Sequence, residues 1–346
     1  MHKDKKLLED VVILRPLAIV MLALFHAFAP YGGGWGETPG FKEIGFYKWF
    51  DFTVYSFMLE LFVLMSGYVF AYQLFILKRT MTWKSLIGSK LKRLILPGLV
   101  FSFFSFVCYD KFTGKSVSDI TLTIIDGHGH IWFLPMLFWC FIEGFALSKL
   151  KWPEWLKLAI CLCVVFIPRI LPHCFRIHES FKYIFFFYGG MVLLKNRERL
   201  ISAITPRRIV ILGILFIFTF IPLRYLAEYP VSLFGGVTDK VLNFAIKNGG
   251  RMIYASLGCF LAWSIVNKLL RDGTKVPTWV FKLNAVCFGI YLFQQFFFMS
   301  IYYNTNFPTI VGPYWLPWIG FAIAFIGSWF LATLTRKSKI GRFLIG

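Results

Sequence analysis

Charge is what this chain has little of. Only 16% of its 346 residues are Asp, Glu, Lys or Arg, against about a quarter in a soluble domain. With 58% of residues hydrophobic and 20% aromatic, that scarcity excludes a globular domain wrapped in a polar surface. Acidic residues are the rarer sign, 17 against 37 Lys and Arg, so the net charge is +20. The seven Cys show no paired spacing, which argues against a disulfide framework and against a zinc site. Polar linkers, internal repeats and soluble extensions are also missing, so residues 1–346 read as one integral domain.

What remains is apolar runs of bilayer-crossing length. Ten are read: 11–30, 50–77, 93–110, 131–149, 155–172, 181–194, 208–224, 250–267, 282–303 and 314–335. Pro168 and Pro172 interrupt the pattern of the fifth and sixth. The expected fold is therefore all-α, a polytopic transmembrane helix bundle of about ten spans. A net +20 invites a nucleic-acid reading, but the distribution of charge opposes it. With the N-terminus inside, the inner segments hold 26 Lys and Arg and the outer loops 11. That is the positive-inside bias, and it puts both termini in the cytoplasm. The first run lacks a small-residue cleavage site and reads as a retained anchor. Short basic inner loops also attract anionic membrane lipids.

Inside the first run, Arg15 and His26 are eleven residues apart, roughly three helical turns and about 16 Å along the axis. Both side chains then leave one face, a cation near the membrane surface and an imidazole near mid-bilayer. A titratable group at that depth marks function unless it only hydrogen-bonds a neighbouring helix. Pro16 suits the first helical position, so the regular helix is expected to begin there. Glu60, in the second run, reaches a depth similar to that of His26. A Glu60–His26 pair would orient a general base; the alternative is that Glu60 bonds elsewhere. Lys92 and Arg93, with Lys90, end an inner loop where phosphates could bind. The fourth run opens on Asp126-Gly-His128-Gly-His130-Ile-Trp132. Gly127 and Gly129 leave a metal geometry loose, and no metal is expected. Trp132 fits an aromatic belt or a sugar-stacking surface. Tyr291, Gln294 and Gln295 lie in the ninth run, where polar side chains bridge helices or line a cavity. The Gly-rich segment after the first run, Gly32 to Gly36, can fold over an outer site or serve as a connector.

Together these pieces resemble the acyltransferase-3 family of integral membrane acyltransferases. Arg15 and His26 match its Arg-x10-His signature. Phe62–Tyr68 with Ser66-Gly67, Lys92-Arg93 with Pro97, His130-Ile-Trp132-Phe-Leu and Gly289-Ile-Tyr291-Leu resemble four further elements, in order, over nearly the whole chain. Two departures stand out. Pro16 replaces the usual Gly, and Gln294-Gln295 occupy the region where the family often has His, so that histidine's role does not carry over. The chain is expected to be a stand-alone member without the fused esterase-like domain of some relatives.

The resemblance implies transfer of a short acyl group, most commonly acetyl, from acetyl-CoA or another short acyl-CoA in the cytoplasm. The acceptor would be a hydroxyl of a cell-surface or exported glycan or a lipid-linked sugar, and the setting a bacterial inner membrane. Arg15, Lys92 and Arg93 would hold the donor, His26 would act as base with Glu60 orienting it, and His130, Trp132, Tyr291 and Gln294 would face the acceptor. The rival from another class is a transporter or flippase for a polysaccharide or lipid-linked sugar.

Overall fold

The computed structural model describes residues 9–110, 116–167 and 174–345, and among these it has helices and no strands. In chain order, α1 spans Glu9–Gly32, α2 Gly45–Tyr55, α3 Met58–Ala71, α4 Trp83–Lys90, α5 Leu96–Tyr109, α6 Val117–Asp126, α7 Phe133–Lys149 and α8 Glu154–Val164. The second half runs α9 Ile177–Lys195, α10 Arg197–Ala203, α11 Pro206–Glu228, α12 Gly236–Arg271, α13 Thr278–Tyr303, α14 Phe307–Val311, α15 Leu316–Thr335 and α16 Lys339–Ile345.

Among the described residues, eight helical segments are long and apolar enough to cross a membrane: Glu9–Gly32, Gly45–Ile76, Trp83–Tyr109, Gly129–Lys149, Pro206–Glu228, Gly236–Arg271, Thr278–Tyr303 and Leu316–Thr335. They coincide with eight of the ten expected runs. The run at 155–172 yields only the eleven residues of α8, and Pro168 and Pro172 lie outside the described residues. The run at 181–194 falls in α9, whose first turns carry Glu179 and Lys182 and so lower its apolar character. Val210, Ile214, Ile217, Phe218 and Ile221 of α11 are exposed on the outside of the bundle, the surface composition that lipid requires.

Helix α1 packs against α2, α3, α13 and α15. It is already helical at Glu9, so Pro16 sits inside it rather than at its first position, correcting the expected start. Transmembrane helices tolerate such a proline because neighbouring groups absorb the carbonyl it frees. The Arg15–His26 interval is therefore uninterrupted helix. A buried polar cluster fixes this end of α1: the Tyr68 hydroxyl donates to Asp10 Oδ2 at 2.9 Å, with Arg197 Nε 3.5 Å from the same oxygen.

Helices α3 and α9 cross closely at two glycines. A Cβ on Gly67 would lie 1.8 Å from the Phe187 carbonyl oxygen, and one on Gly190 2.0 Å from that of Leu64. Backbone cannot yield as a side chain does, so the helices would have to separate. Gly67→Ala is expected to destabilise the protein by about 1–3 kcal/mol. The check is thermal unfolding in detergent; an unchanged midpoint would show that the crossing is not needed.

Candidate functional site

A cavity of about 770 Å³ opens at the end of the bundle where α1 begins. Arg15 of α1, Lys90 at the end of α4, Lys92 and Arg93, and Arg342 of α16 all line it. Lys92 and Arg93 project from a π-helical turn, Leu91–Ile95, between α4 and α5. Such a turn inserts an extra residue and redirects side chains, and it recurs at functional sites. Lys90 Nζ stands 3.4 Å above the centre of the Phe141 ring. Among the described residues none of these five cations is paired with a carboxylate. Converging, unpaired cations over apolar walls make a site for a polyanion with a hydrophobic portion.

A second cavity, of about 320 Å³, lies deeper and is lined by His26, Trp35, Tyr55, His130, Trp132 and Gln295 among others. Leu22, Leu59, Phe133 and Tyr291 line both cavities, so the two adjoin at a common apolar wall. His26 is 5% exposed and caged. The Trp35 ring stacks on it at 5.3 Å, with Phe25 at 5.3 Å and the edges of His130 and Phe298 at 6.0 and 6.3 Å. Trp35 belongs to the Gly-rich loop after α1, which folds over the site and is tied down where the Tyr303 hydroxyl donates to the Gly36 carbonyl at 2.6 Å. Nδ1 of His26 is sealed off and has no hydrogen-bond partner among the described residues, which leaves Nε2 as the nitrogen available to a ligand.

His128 and His130 part company. His128 Nδ1 lies 2.8 Å from Ser105 Oγ and its Nε2 3.6 Å from Asp110, whereas His130 points at His26. Gly129 between them has φ of 58° and Gly127 has φ of 86°, left-handed values that turn the chain sharply. A Cβ on Gly127 would also strike the Trp132 backbone nitrogen at 2.6 Å. The backbone of His130 is pinned from α13: its N–H donates to Gln295 Oε1 at 2.9 Å and its carbonyl accepts from the Tyr291 hydroxyl at 2.7 Å. Neither ring nitrogen of His130 has a partner among the described residues. Trp132 lines the same cavity and leans on Tyr183. Among the described residues, no three His, Cys, Asp or Glu gather as a metal site.

The structure thus brings together Arg15, Lys92 and Arg93 in one cavity, and His26, His130, Trp132 and Tyr291 in the next, whereas Gln294 is fully buried and lines neither. Glu60 is the exception. It is fully buried, but its Oε1 accepts from Arg251 Nε at 2.6 Å, and the expected pairing with His26 does not form. Arg251 also covers the Tyr55 ring at 4.6 Å, and Tyr55 stacks on Phe25 at 4.5 Å. Glu60 therefore reaches the histidine only through a wall of the cavity. Sequence reasoning missed Arg251, Trp35 and Arg342 as site components. A cation opening the eighth apolar run and an aromatic amid glycines were the available signals; Arg342 sits in a basic tail and gave none.

Membrane-length helices enclosing a cationic cavity and an adjoining aromatic cavity lined by a buried histidine suit a transfer reaction within a membrane. The comparison with protein families names the class: residues 9–336 match the acyltransferase domain of the acyltransferase-3 family, and the chain belongs to that family. No curated protein and no solved structure matches it. Family membership supports an acyltransferase and gives no support to the transporter reading. Arg342 and the rest of α16 lie beyond the matched residues.

Proposed function

We propose that the protein is a membrane O-acyltransferase that moves a short acyl group, acetyl first among them, from a cytoplasmic acyl-CoA to a hydroxyl of a cell-surface or exported glycan. The observation that carries this reading is the shared wall of the two cavities. The CoA phosphates fit among Arg15, Lys90, Lys92, Arg93 and Arg342, and the pantetheine arm fits the apolar walls leading towards Leu22 and Tyr291. The sugar fits the second cavity, against Trp35 and Trp132. Ten crossings with both termini in the cytoplasm of a bacterial inner membrane suit the basic bias of the inner segments, with α8 and α9 contributing to the other two crossings.

In this mechanism His26 Nε2 takes the proton of the sugar hydroxyl as that oxygen attacks the thioester carbonyl. The new C–O ester bond forms, the C–S bond breaks, and the imidazolium returns the proton to the departing CoA thiolate. No redox change or further reactant is required.

The test is donor dependence. Purified protein incubated with radiolabelled acetyl-CoA and a surface-glycan extract should release CoA and label the glycan. A folded protein that neither binds nor consumes any short acyl-CoA would refute the proposal. Arg15→Ala should weaken acyl-CoA binding about 10- to 100-fold, the loss expected of one charge-assisted contact worth about 1.5–3 kcal/mol. Unchanged affinity by calorimetry would remove Arg15 from the donor site.

A further inference from the structure

We infer that Gln294 is the positioning residue of His26: its side-chain oxygen accepts from Nδ1–H, which keeps Nε2 unprotonated and turned to the cavity. The inference rests on His26 being the base of the acyl transfer. A neutral imidazole carries one proton, and a base must keep the other nitrogen bare. If Nε2 faces the substrate, the proton belongs on Nδ1, where it needs an acceptor.

Gln294 can supply it. Around His26 stand Trp35, Phe25 and Phe298, which offer no acceptor, and His130, whose ring centre at 6.0 Å is too far for a nitrogen–nitrogen hydrogen bond. Glu60 is held by Arg251. Gln294 is fully buried on α13, one turn before Phe298, whose ring meets His26 at 6.3 Å, so it shares the helix face turned to the imidazole. Its Oε1 and Nε2, like His26 Nδ1, have no hydrogen-bond partner among the described residues. A buried amide and a buried imidazole nitrogen, both unpaired and on neighbouring helices, are complementary groups. Buried polar groups are otherwise nearly always satisfied. The neighbouring Gln295 already does for the backbone of His130 what Gln294 would do for the ring of His26. Paired glutamines in one apolar helix thus address two histidines from successive positions.

The experiment reads the tautomer directly. Protein with ¹⁵N-labelled histidine is examined by long-range ¹H–¹⁵N NMR in detergent, with the His26 signals assigned by their loss in His26→Gln. Wild type should carry the proton on Nδ1. Gln294→Glu, which keeps an acceptor, should preserve that tautomer, and Gln294→Met, of similar size but with no acceptor oxygen, should shift it towards Nε2–H. In parallel, Gln294→Met should lower kcat about 10- to 100-fold with KM for acyl-CoA unchanged, and Gln294→Glu should restore it. A wild-type proton on Nε2, or the same tautomer in Gln294→Met, overturns the inference. Lack of acyl-CoA turnover by the wild type would instead overturn the acyltransferase reading, and the tautomer result would stand apart from it.

Discussion

His26→Ala should lower acyl transfer by about 10²- to 10⁴-fold, the usual contribution of a positioned general base. The protein should still reach the membrane and still bind acyl-CoA. The cations proposed to meet the donor's phosphates line one cavity with Arg15, about 16 Å along α1 from the imidazole. Truncation leaves only a small space among Trp35, Phe25 and Phe298 and removes no ion pair. Side-by-side measurement of label transfer and CoA affinity therefore separates lost chemistry from lost folding. Normal transfer by the variant would remove His26 from the reaction. Loss of transfer and of CoA binding together would mean that the substitution damages the donor cavity.

The sequence carried the parts of this site that depend on local rules. Helical geometry alone puts Arg15 and His26 on one face, and the structure keeps that face despite Pro16. The basic group at Lys92 and Arg93 was readable as a candidate anion site because a local cluster of cations is written in the chain, and the structure lines one cavity with it and Arg15. What depth along a helix does not give is azimuth. Glu60 and His26 lie at similar depths, but Glu60 turns to Arg251, 191 residues later, which no local pattern links to it. His128 and His130 looked alike as a pair until the positive φ of Gly129 sent them in different directions. Trp35 was hidden for a related reason: a glycine-rich loop has no period from which to read where its single aromatic will land. The span count was least legible around α8, where eleven helical residues stand in for an apolar run of bilayer length.

The same Glu60–Arg251 pair yields a graded prediction about stability. Removing one partner of a buried pair costs about 3–5 kcal/mol, because a charge is left uncompensated in a low-dielectric interior. Arg251→Met should be the most damaging change, since the Glu60 side chain is 0% exposed and has no other cation at hand among the described residues. Glu60→Leu should cost less, because the Arg251 side chain keeps 26% exposure and its place over Tyr55. The double substitution should recover most of the loss, since an apolar pair of similar volume replaces the ion pair at little net cost. Thermal unfolding midpoints of the three variants in detergent give the order. Arg251→Met should also lower activity more than Glu60→Leu, because Tyr55 and Phe25 transmit any shift to the wall beside His26. If Glu60→Leu instead left the midpoint unchanged and abolished transfer, Glu60 would have a chemical role that its ion pair does not explain.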